Sequence, residues 1–184
     1  AFCMALRKHL RNGKIVGVQQ HEFERIVIIR VSKREGEFQL VSELFGEGNI
    51  ILVSPQNEVL YALAYRRMRD RNILRGEVFH HAPPSGKNPK HLSRQELDKI
   101  RGLGRLETVR GLTKFLSIGG FYAEEILLRA KVDKNVPCES LMEEEMDRIF
   151  VHLRRMLSLI AAGETEPHIV IDDEDNRIDV VPIP

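Results

Sequence analysis

The sequence is poor in cysteine, with Cys3 and Cys138 as its two thiols, and it has no tryptophan. A small disulfide-stapled scaffold requires several paired cysteines, and a zinc finger requires close pairs such as C-x-x-C, so neither fits these positions. Two distant thiols are typical of proteins in a reducing compartment. We therefore expect the protein to be cytoplasmic.

Long apolar runs are also lacking. No stretch approaches the roughly 20 apolar residues that span a bilayer, and the first residues do not follow the pattern of a secretory signal. We therefore expect no membrane contact. The sequence begins without Met inside a helical pattern and stops at VVPIP with no closing element, which indicates a piece of a longer chain.

Charge is nearly balanced in total, at +1, but it is unevenly distributed. Residues 65–94 carry eight cations and only two carboxylates, whereas residues 139–147 and 172–175 are acidic. A local excess of cations attracts polyanions through Coulomb forces that salt screens. The composition therefore favours a nucleic-acid partner.

The N-terminal half has a pattern typical of strands. After a short helical stretch that ends at Gly13, β-branched and aromatic runs of period two extend to Met68, divided by turn residues. These runs predict an antiparallel meander that curls into a sandwich-like lobe. Pro83 and Pro84 then exclude a helix and indicate an extended connector.

The second half has the period of helices. Ser93 and Glu96 form a capping-box pattern before one helix, and Ser140 and Glu143 form another before a long amphipathic helix. The tail predicts a hairpin around an acidic turn.

Together these patterns predict an α+β protein in three segments. They are a β-rich lobe at 1–91, a helical lobe with a helix-hairpin-helix at 92–163, and the start of a following β element at 164–184.

The clearest local motif is FLSIGGFYAEEIL, which follows the helix-hairpin-helix form h-G-h-G-x-x-x-A-x-x-[IL] with a serine in place of the first glycine. A tight turn between helices favours residues that tolerate positive φ, and it leaves backbone N–H groups at the second helix facing a possible phosphate. The candidate phosphate-binding residues are Ser117, Ile118, Gly119 and Gly120. A merely structural hairpin is equally open, because Glu124 and Glu125 beyond the turn would repel an anion.

The most concentrated cationic motif is YRRMRDRNILRG, residues 65–76, with five arginines and one aspartate. Guanidinium groups bind phosphate oxygens through paired hydrogen bonds and stack on bases, which suits RNA. Asp70 cannot bind a phosphate, but it can orient the guanidinium of Arg71 or accept from a base or ribose, which would make the pair a recognition element. The alternative is a solvated basic strand edge that prevents aggregation.

Catalytic and metal-binding patterns are not recognisable in the sequence. Adjacent residues on an extended chain point to opposite faces, so His80 and His81 would seldom ligate one metal ion. No serine-histidine or cysteine-histidine motif of nucleophilic catalysis is present. We therefore expect no catalytic residue, metal site, cofactor or small-molecule substrate.

Four strings carry a family resemblance: FCMALRKHLRNGKI, ERIVIIRV, YRRMRDRNILRGEVFHHAPPSGKNP and FLSIGGFYAEEILLRAKV. In this order they resemble the N-terminal domain of the NFACT family, which includes bacterial and archaeal RqcH, the fibronectin-binding-like FbpA proteins and eukaryotic NEMF. The likeness extends over nearly the whole chain, and the archaeal branch is the most similar.

The resemblance implies a fold similar in plan to the formamidopyrimidine DNA glycosylases and a role in ribosome-associated quality control. Family members bind tRNA and stalled large ribosomal subunits carrying peptidyl-tRNA, and they support C-terminal, alanine-type tailing of nascent chains. That synthesis would occur on the ribosome, so the domain would not itself be an enzyme. The family's Asp-Arg pair falls on Asp70 and Arg71, and the tRNA-binding set is completed by Arg66, Arg67, Arg69 and Arg75.

Two other functions stay open beside this one. A DNA-binding or glycosylase-like enzyme is suggested by the shared architecture, although such enzymes need an N-terminal proline amine next to a glutamate, and this sequence starts with neither. An adhesion protein is suggested by the fibronectin-binding name. We expect any such adhesion to be secondary charge attraction to the arginine-rich segment.

Overall fold

A computed structural model describes residues 2–182 of the chain. Residues 1, 183 and 184, which belong to the predicted first and last segments, lie outside this range. The chain divides between Ser85 and Gly86 into two compact units. Among the described residues, no helix is both long enough and apolar enough to cross a bilayer.

The first unit contains one helix and a five-stranded antiparallel sheet in which strands adjacent in sequence are neighbours. Its elements are α1 (Phe2–Leu10), β1 (Lys14–Gln20), β2 (Ile26–Lys33), β3 (Gly36–Glu43), β4 (Asn49–Val53) and β5 (Val59–Ala62). The predicted meander is confirmed. The five strands lie in one sheet, and the described residues of this unit also contain a separate two-stranded sheet, whose Ile73 belongs to the same apolar core.

The period-two pattern of the strands places their apolar residues in one core. Ile26 and Ile28 on β2, Val41 on β3, and Ile51 and Val53 on β4 are all buried in the same cluster. Alternate residues along a strand point to opposite faces of the sheet, so each strand contributes one of its two faces to this core. The edge strand β1 is mostly exposed along its length.

The last of the predicted meander strands, which is expected to extend to Met68, is broken in the structure. β5 ends at Ala62, and the chain resumes as β6 (Arg66–Arg67), which pairs with β7 (Asn72–Ile73) as a separate two-stranded ribbon. The buried side chain of Asn49 causes the break, because its Oδ1 accepts from the N–H of Ala64 at 3.0 Å and its Nδ2 donates to the carbonyl of Ala64 at 2.9 Å. Both backbone groups of Ala64 are thereby removed from the strand ladder.

The second unit is mostly helical and ends in a hairpin. Its elements are α2 (Arg94–Leu97), α3 (Thr108–Phe115), α4 (Gly120–Ala130), α5 (Glu143–Ala162), β8 (His168–Ile171) and β9 (Arg177–Val181), with short 3₁₀ turns at Pro89–His91, Asp98–Leu103 and Cys138–Ser140. The helices bury a single apolar cluster. The predicted helices and the antiparallel tail hairpin are confirmed.

One of the two predicted capping boxes is correct. Ser93 accepts from the backbone N–H of Glu96, and the Glu96 carboxylate accepts from that of Ser93 at 3.0 Å. The second prediction is wrong, because Ser140 belongs to a 3₁₀ turn and α5 starts three residues later. There the backbone N–H of Met142 donates to Glu145 at 2.9 Å.

We predict that Glu96 makes the stability of the second unit depend on acid pH. The Lys87 ammonium, 2.8 Å away, and the hydrogen bonds from Ser93 lower the pKa of Glu96 to about 2. Because the pKa of Glu96 is lower in the folded state, its ionised carboxylate stabilises the fold at pH values above its ordinary pKa of 4.5. This contribution is lost as the pH falls towards 2. Glu96→Gln should therefore lower the melting temperature at neutral pH and match wild type near pH 2.

The measurement is thermal unfolding of both proteins across this pH range. Glu164→Gln is the control, because Glu164 is exposed and is in none of the ion pairs of the described residues. A difference between Glu96→Gln and wild type that stays constant from pH 7 to pH 2 would contradict the prediction.

Candidate nucleic-acid interface

The arginine-rich segment forms a short ribbon with a tight turn. Arg66 pairs with Ile73 and Arg67 with Asn72 across β6 and β7. The turn is closed by a hydrogen bond from the N–H of Met68 to the carbonyl of Arg71, 3.1 Å long. The two residues at its corner, Arg69 and Asp70, are exposed. The sequence RMRDR therefore presents one cation and one anion at the tip of the ribbon.

Arg71 is placed differently from the other arginines of the segment. Its side chain is 3% exposed and that of Glu43 is 5% exposed. Nη1 and Nη2 of Arg71 donate to the two carboxylate oxygens of Glu43 at 2.6 and 2.9 Å, and Nη1 also donates to the carbonyl of His80 at 3.1 Å. The guanidinium is thus oriented by Glu43, and the expectation that Asp70 orients it is corrected.

Strand alternation explains this buried pair. On β7 and the residue before it, Arg71 and Ile73 share the buried face, and on β3 Val41 and Glu43 share the buried face. Two buried charges lose their hydration, so each needs a partner with matched geometry. The bidentate contact supplies that partner and fixes the base of the turn to the sheet.

A second set of contacts holds the start of the ribbon. Asn49 binds both backbone groups of Ala64, two residues before β6, and Nη2 of Arg66 donates to Glu47 at 2.7 Å. Glu47 is 84% exposed, so water screens this ion pair and it contributes little to stability. Three contacts thus hold the ribbon and the residue Ala64 before it: Glu43 at the end of β3, Glu47 in the turn and Asn49 at the start of β4.

Three other arginines face solvent. Arg67, Arg69 and Arg75 are exposed, and the ion pairs found in residues 2–182 do not include any of them. The guanidinium of Arg75 lies 4.6 Å from the centroid of the Tyr61 ring. These guanidinium groups can donate hydrogen bonds to phosphate oxygens, because carboxylates do not engage their N–H groups.

The two adjacent histidines point to different environments, as their extended backbone predicts. His80 is exposed, whereas the His81 ring stacks on His21 with a centroid distance of 3.8 Å. Burial lowers the pKa of His81, and the charges of His21 and Arg71 lower it further. Across the part of the chain that the structure describes, no group of three His, Cys, Asp or Glu side chains is arranged to hold a metal ion.

The helix-hairpin-helix segment forms two helices, with a turn of unexpected conformation. Gly119 is the N-cap of α4 with φ −75° and ψ 159°, and neither Gly119 nor Gly120 has positive φ. The expectation that this turn needs positive φ is therefore wrong. The hydroxyl of Ser117 donates to the carbonyl of Gly86 at 2.9 Å, while Ile118 packs against the apolar cluster.

Open space surrounds the start of α4. A Cβ atom added at Gly119 or Gly120 would meet no heavy atom within 4 Å, so a ligand can approach the backbone there. The acidic residues beyond the turn are already paired, Glu124 with Lys134 at 2.8 Å and Glu125 with Arg129 at 2.5 Å. Their repulsion of an anion is weaker than the sequence suggests.

Glu43 and Asn49 are not among the candidate residues predicted from the sequence. A signal for Glu43 is present in FQLVSEL, because period two places Val41 and Glu43 on one face of the strand. A carboxylate on an apolar face requires a cation, and the arginine-rich segment is a nearby source of one. Asn49 has no such signal, because the backbone groups that it binds belong to a residue 15 positions later.

Comparisons with known proteins identify the family. A family model described as "NFACT N-terminal and middle domains" matches residues 1–184. The "Archaeal Rqc2 homolog aRqcH" of Methanocaldococcus jannaschii is 36% identical over 188 residues, covering 100% of this chain and 27% of the relative. The "Ribosome quality control complex subunit NEMF homolog" of Drosophila melanogaster is 31% identical over 152 residues, covering 78% of this chain and 15% of the relative. The chain thus corresponds to a minor part of each relative.

Solved structures share the fold. The fibrinogen binding protein from Staphylococcus aureus gives a TM-score of 0.75 at 18% identity, covering 100% of this chain and 66% of that one. Lactococcus lactis Fpg in complex with DNA containing an abasic site gives 0.54 at 16% identity, covering 87% and 66%. At these identities the likeness establishes the fold alone. The expected likeness in fold to the formamidopyrimidine DNA glycosylases is confirmed.

We predict that Arg71→Ala destabilises the first unit strongly. Removing one partner leaves the Glu43 carboxylate buried without a counter-charge, which costs about 3–5 kcal/mol. For a chain of this length the melting temperature should fall by roughly 6–20 °C. Arg66→Ala is the matched control, and the loss of its exposed pair should cost less than about 1 kcal/mol.

The double variant Glu43→Leu/Arg71→Met provides a second check. Removing both charges together leaves no unpaired ion, so this variant should be more stable than Arg71→Ala alone. Thermal and urea unfolding measure all four proteins. Equal losses for Arg71→Ala and Arg66→Ala would contradict the role assigned to the buried pair.

Proposed function

Because the chain belongs to the NFACT family, we propose that it is the tRNA-binding N-terminal part of a ribosome-associated quality control factor. The relatives that it matches are named as Rqc2 homologues and as ribosome quality control subunits, which supports the process. The observation that carries the RNA contact is the exposed tip of the arginine ribbon, where Arg69 takes part in none of the ion pairs of residues 2–182 and the base is fixed by a buried ion pair.

The ribbon residues divide into contacting and positioning groups in this proposal. Arg67, Arg69 and Arg75 bind phosphate oxygens of tRNA, and Arg66 joins them by exchanging its exposed contact with Glu47 for a phosphate. Asp70 accepts hydrogen bonds from a base edge or a ribose hydroxyl, which gives the tip selectivity beyond charge. Arg71 acts through Glu43 by holding the turn in place.

The helix-hairpin-helix supplies a second RNA contact. The first turn of α4 has N–H groups without intrahelical partners, and the space in front of Gly119 and Gly120 is open. Ser117 and Ile118 hold this turn against the rest of the unit. We assign residues 1–91 to the β-rich lobe, 92–163 to the helical lobe and 164–184 to the start of a following element.

The wider role is that of a ribosome-bound factor. We propose that the whole protein binds large subunits that carry peptidyl-tRNA and supports alanine-type tailing of the nascent chain. The chemistry would then belong to the ribosome, and this chain would position tRNA without catalysing a reaction. Its partners would be RNA and the ribosome, with no cofactor.

A DNA-binding enzyme is the second candidate, and the fold shared with Fpg favours it. Both candidates use a basic surface and a helix hairpin, so affinity for a polyanion does not separate them. They differ in the ligand. A quality control factor should prefer tRNA, whereas a glycosylase-like protein should prefer duplex DNA with a damaged or abasic site.

The test is a titration of the 184-residue chain with labelled tRNA and with duplex DNA that contains an abasic site, at several salt concentrations. Wild type should prefer tRNA. Arg69→Ala should weaken tRNA binding roughly 5- to 150-fold, or about 1–3 kcal/mol, because a charge-assisted contact is lost. Asp70→Asn should reduce the preference for tRNA without lowering the salt slope, because Asp70 neutralises no phosphate.

Arg105→Ala is the control, because the Arg105 side chain is 95% exposed and lies on the second unit, outside the ribbon. Its loss should change tRNA affinity much less than the loss of Arg69. Equal effects of Arg69→Ala and Arg105→Ala would show that tRNA binding depends on the overall positive charge and not on a specific site at the ribbon. A preference for the abasic duplex would favour the DNA-binding alternative.

A further inference from the structure

A cluster of cations and rings surrounds His9 on the first unit. His9 lies in the last turn of α1, and its ring centroid is 5.9 Å from that of Phe38 on β3 and 5.9 Å from that of Tyr61 on β5. The guanidinium of Arg75 lies over the Tyr61 ring at 4.6 Å from its centroid. Four separate parts of the chain therefore meet at one surface site.

Three cations, Lys8, Lys33 and Arg75, lie close enough to His9 to affect its ionisation. Burial lowers the pKa of His9, and the charges of Lys8, Lys33 and Arg75 lower it further. Within the described range 2–182, none of these three cations takes part in an ion pair. Like charges that are held together without a counter-ion raise the free energy of the folded protein. An anionic ligand would remove that repulsion.

The charge at the end of helix α1 accounts for only one of these three cations. Lys8 lies in the last turn of α1, where the partial negative charge of the helix end stabilises a cation. Lys33 is at the end of β2 and Arg75 lies two residues beyond β7, so neither has this reason to be near His9. Arg75 lies over the Tyr61 ring, and Lys33 lies two residues beyond Val31, which pairs with Phe38 in the sheet. Both positions are set by the tertiary structure.

We propose that His9, Tyr61 and Arg75, with Lys8 and Lys33, form a further contact for the RNA backbone on the first unit. In this contact the cations hold phosphate oxygens, and the rings pack against the adjoining ribose or base. Alternating cations and aromatic faces suit a nucleic acid, which offers both charges and flat bases. The inference rests on the proposed function, and it extends the RNA path from the tip of the ribbon to its base.

The test compares tRNA binding by wild type and by Lys8→Gln/Lys33→Gln, using the full 184-residue chain. Each lysine that neutralises a phosphate contributes about one unit to the slope of log K against log salt. The double variant should therefore lose about two units of slope and bind roughly tenfold more weakly, or worse, at low salt. Lys99→Gln/Lys131→Gln, which removes two exposed lysines of the second unit, should change neither quantity to this extent.

A second measurement examines the rings directly. Tyr61→Leu keeps an apolar side chain on β5 and removes the ring, so it should weaken tRNA binding by roughly fivefold or more. The titration of His9, followed by nuclear magnetic resonance, should move to higher pH when tRNA is bound, because phosphate opposes the charges of Lys8, Lys33 and Arg75. A cluster with a merely structural role would leave this titration unchanged.

The outcomes separate this inference from the proposed function. If Arg69→Ala weakens tRNA binding while the Lys8 and Lys33 variant behaves like its control, the proposed contact at His9 is overturned and the contact at the ribbon is supported. If the Lys8 and Lys33 variant weakens tRNA binding while Arg69→Ala does not, the contact at the ribbon is overturned and the contact at His9 is supported. If wild type does not bind tRNA, both are overturned. Because both lysine substitutions change solvent-accessible charges, the result does not depend on whether Tyr61→Leu folds.

Discussion

The buried ion pair between Arg71 and Glu43 is the contact on which the arginine ribbon depends. β6 and β7 are two residues long each, and a ribbon of that size cannot hold its own conformation in water. The bidentate contact joins the closing residue of the turn to the end of β3, while Ile73 enters the apolar core beside it. The position of the exposed tip is set by these two contacts, the Arg71–Glu43 ion pair and the burial of Ile73.

The two units differ in how their cations are satisfied. In the second unit, Arg94 binds three carboxylates, those of Asp98, Glu143 and Asp147, at 2.5 to 2.7 Å. Its charge is neutralised within the fold, although the sequence places it in the same basic stretch as the ribbon. The exposed Arg67 and Arg69 of the ribbon, by contrast, take part in no ion pair within residues 2–182. Local charge density in a sequence therefore overstates the charge that is available for binding.

Much of the fold could be predicted because its signals are local. The meander, the helical half, the tail hairpin and the capping box at Ser93 each depend on periodicity or on contacts within a few residues. The failures came from contacts across long separations. Asn49 interrupts the last predicted strand by binding Ala64. A 3₁₀ turn replaces the expected box at Ser140, and the N–H groups of Cys138 and Glu139 in that turn donate to the distant carbonyls of Leu106 and Gly104. Neither effect has a local sequence pattern.

The sequence alone determined that this protein has an α+β fold, a family and one strongly basic segment, because composition, period and motif order are properties of the chain. The tertiary structure decided what each arginine does. Arg71 and Arg69 are two positions apart, yet one is buried against Glu43 and the other is exposed at the tip. The sequence does not show which way a charged side chain points. Only the packing of β3 against the ribbon decides which guanidinium contacts a carboxylate and which is exposed to solvent.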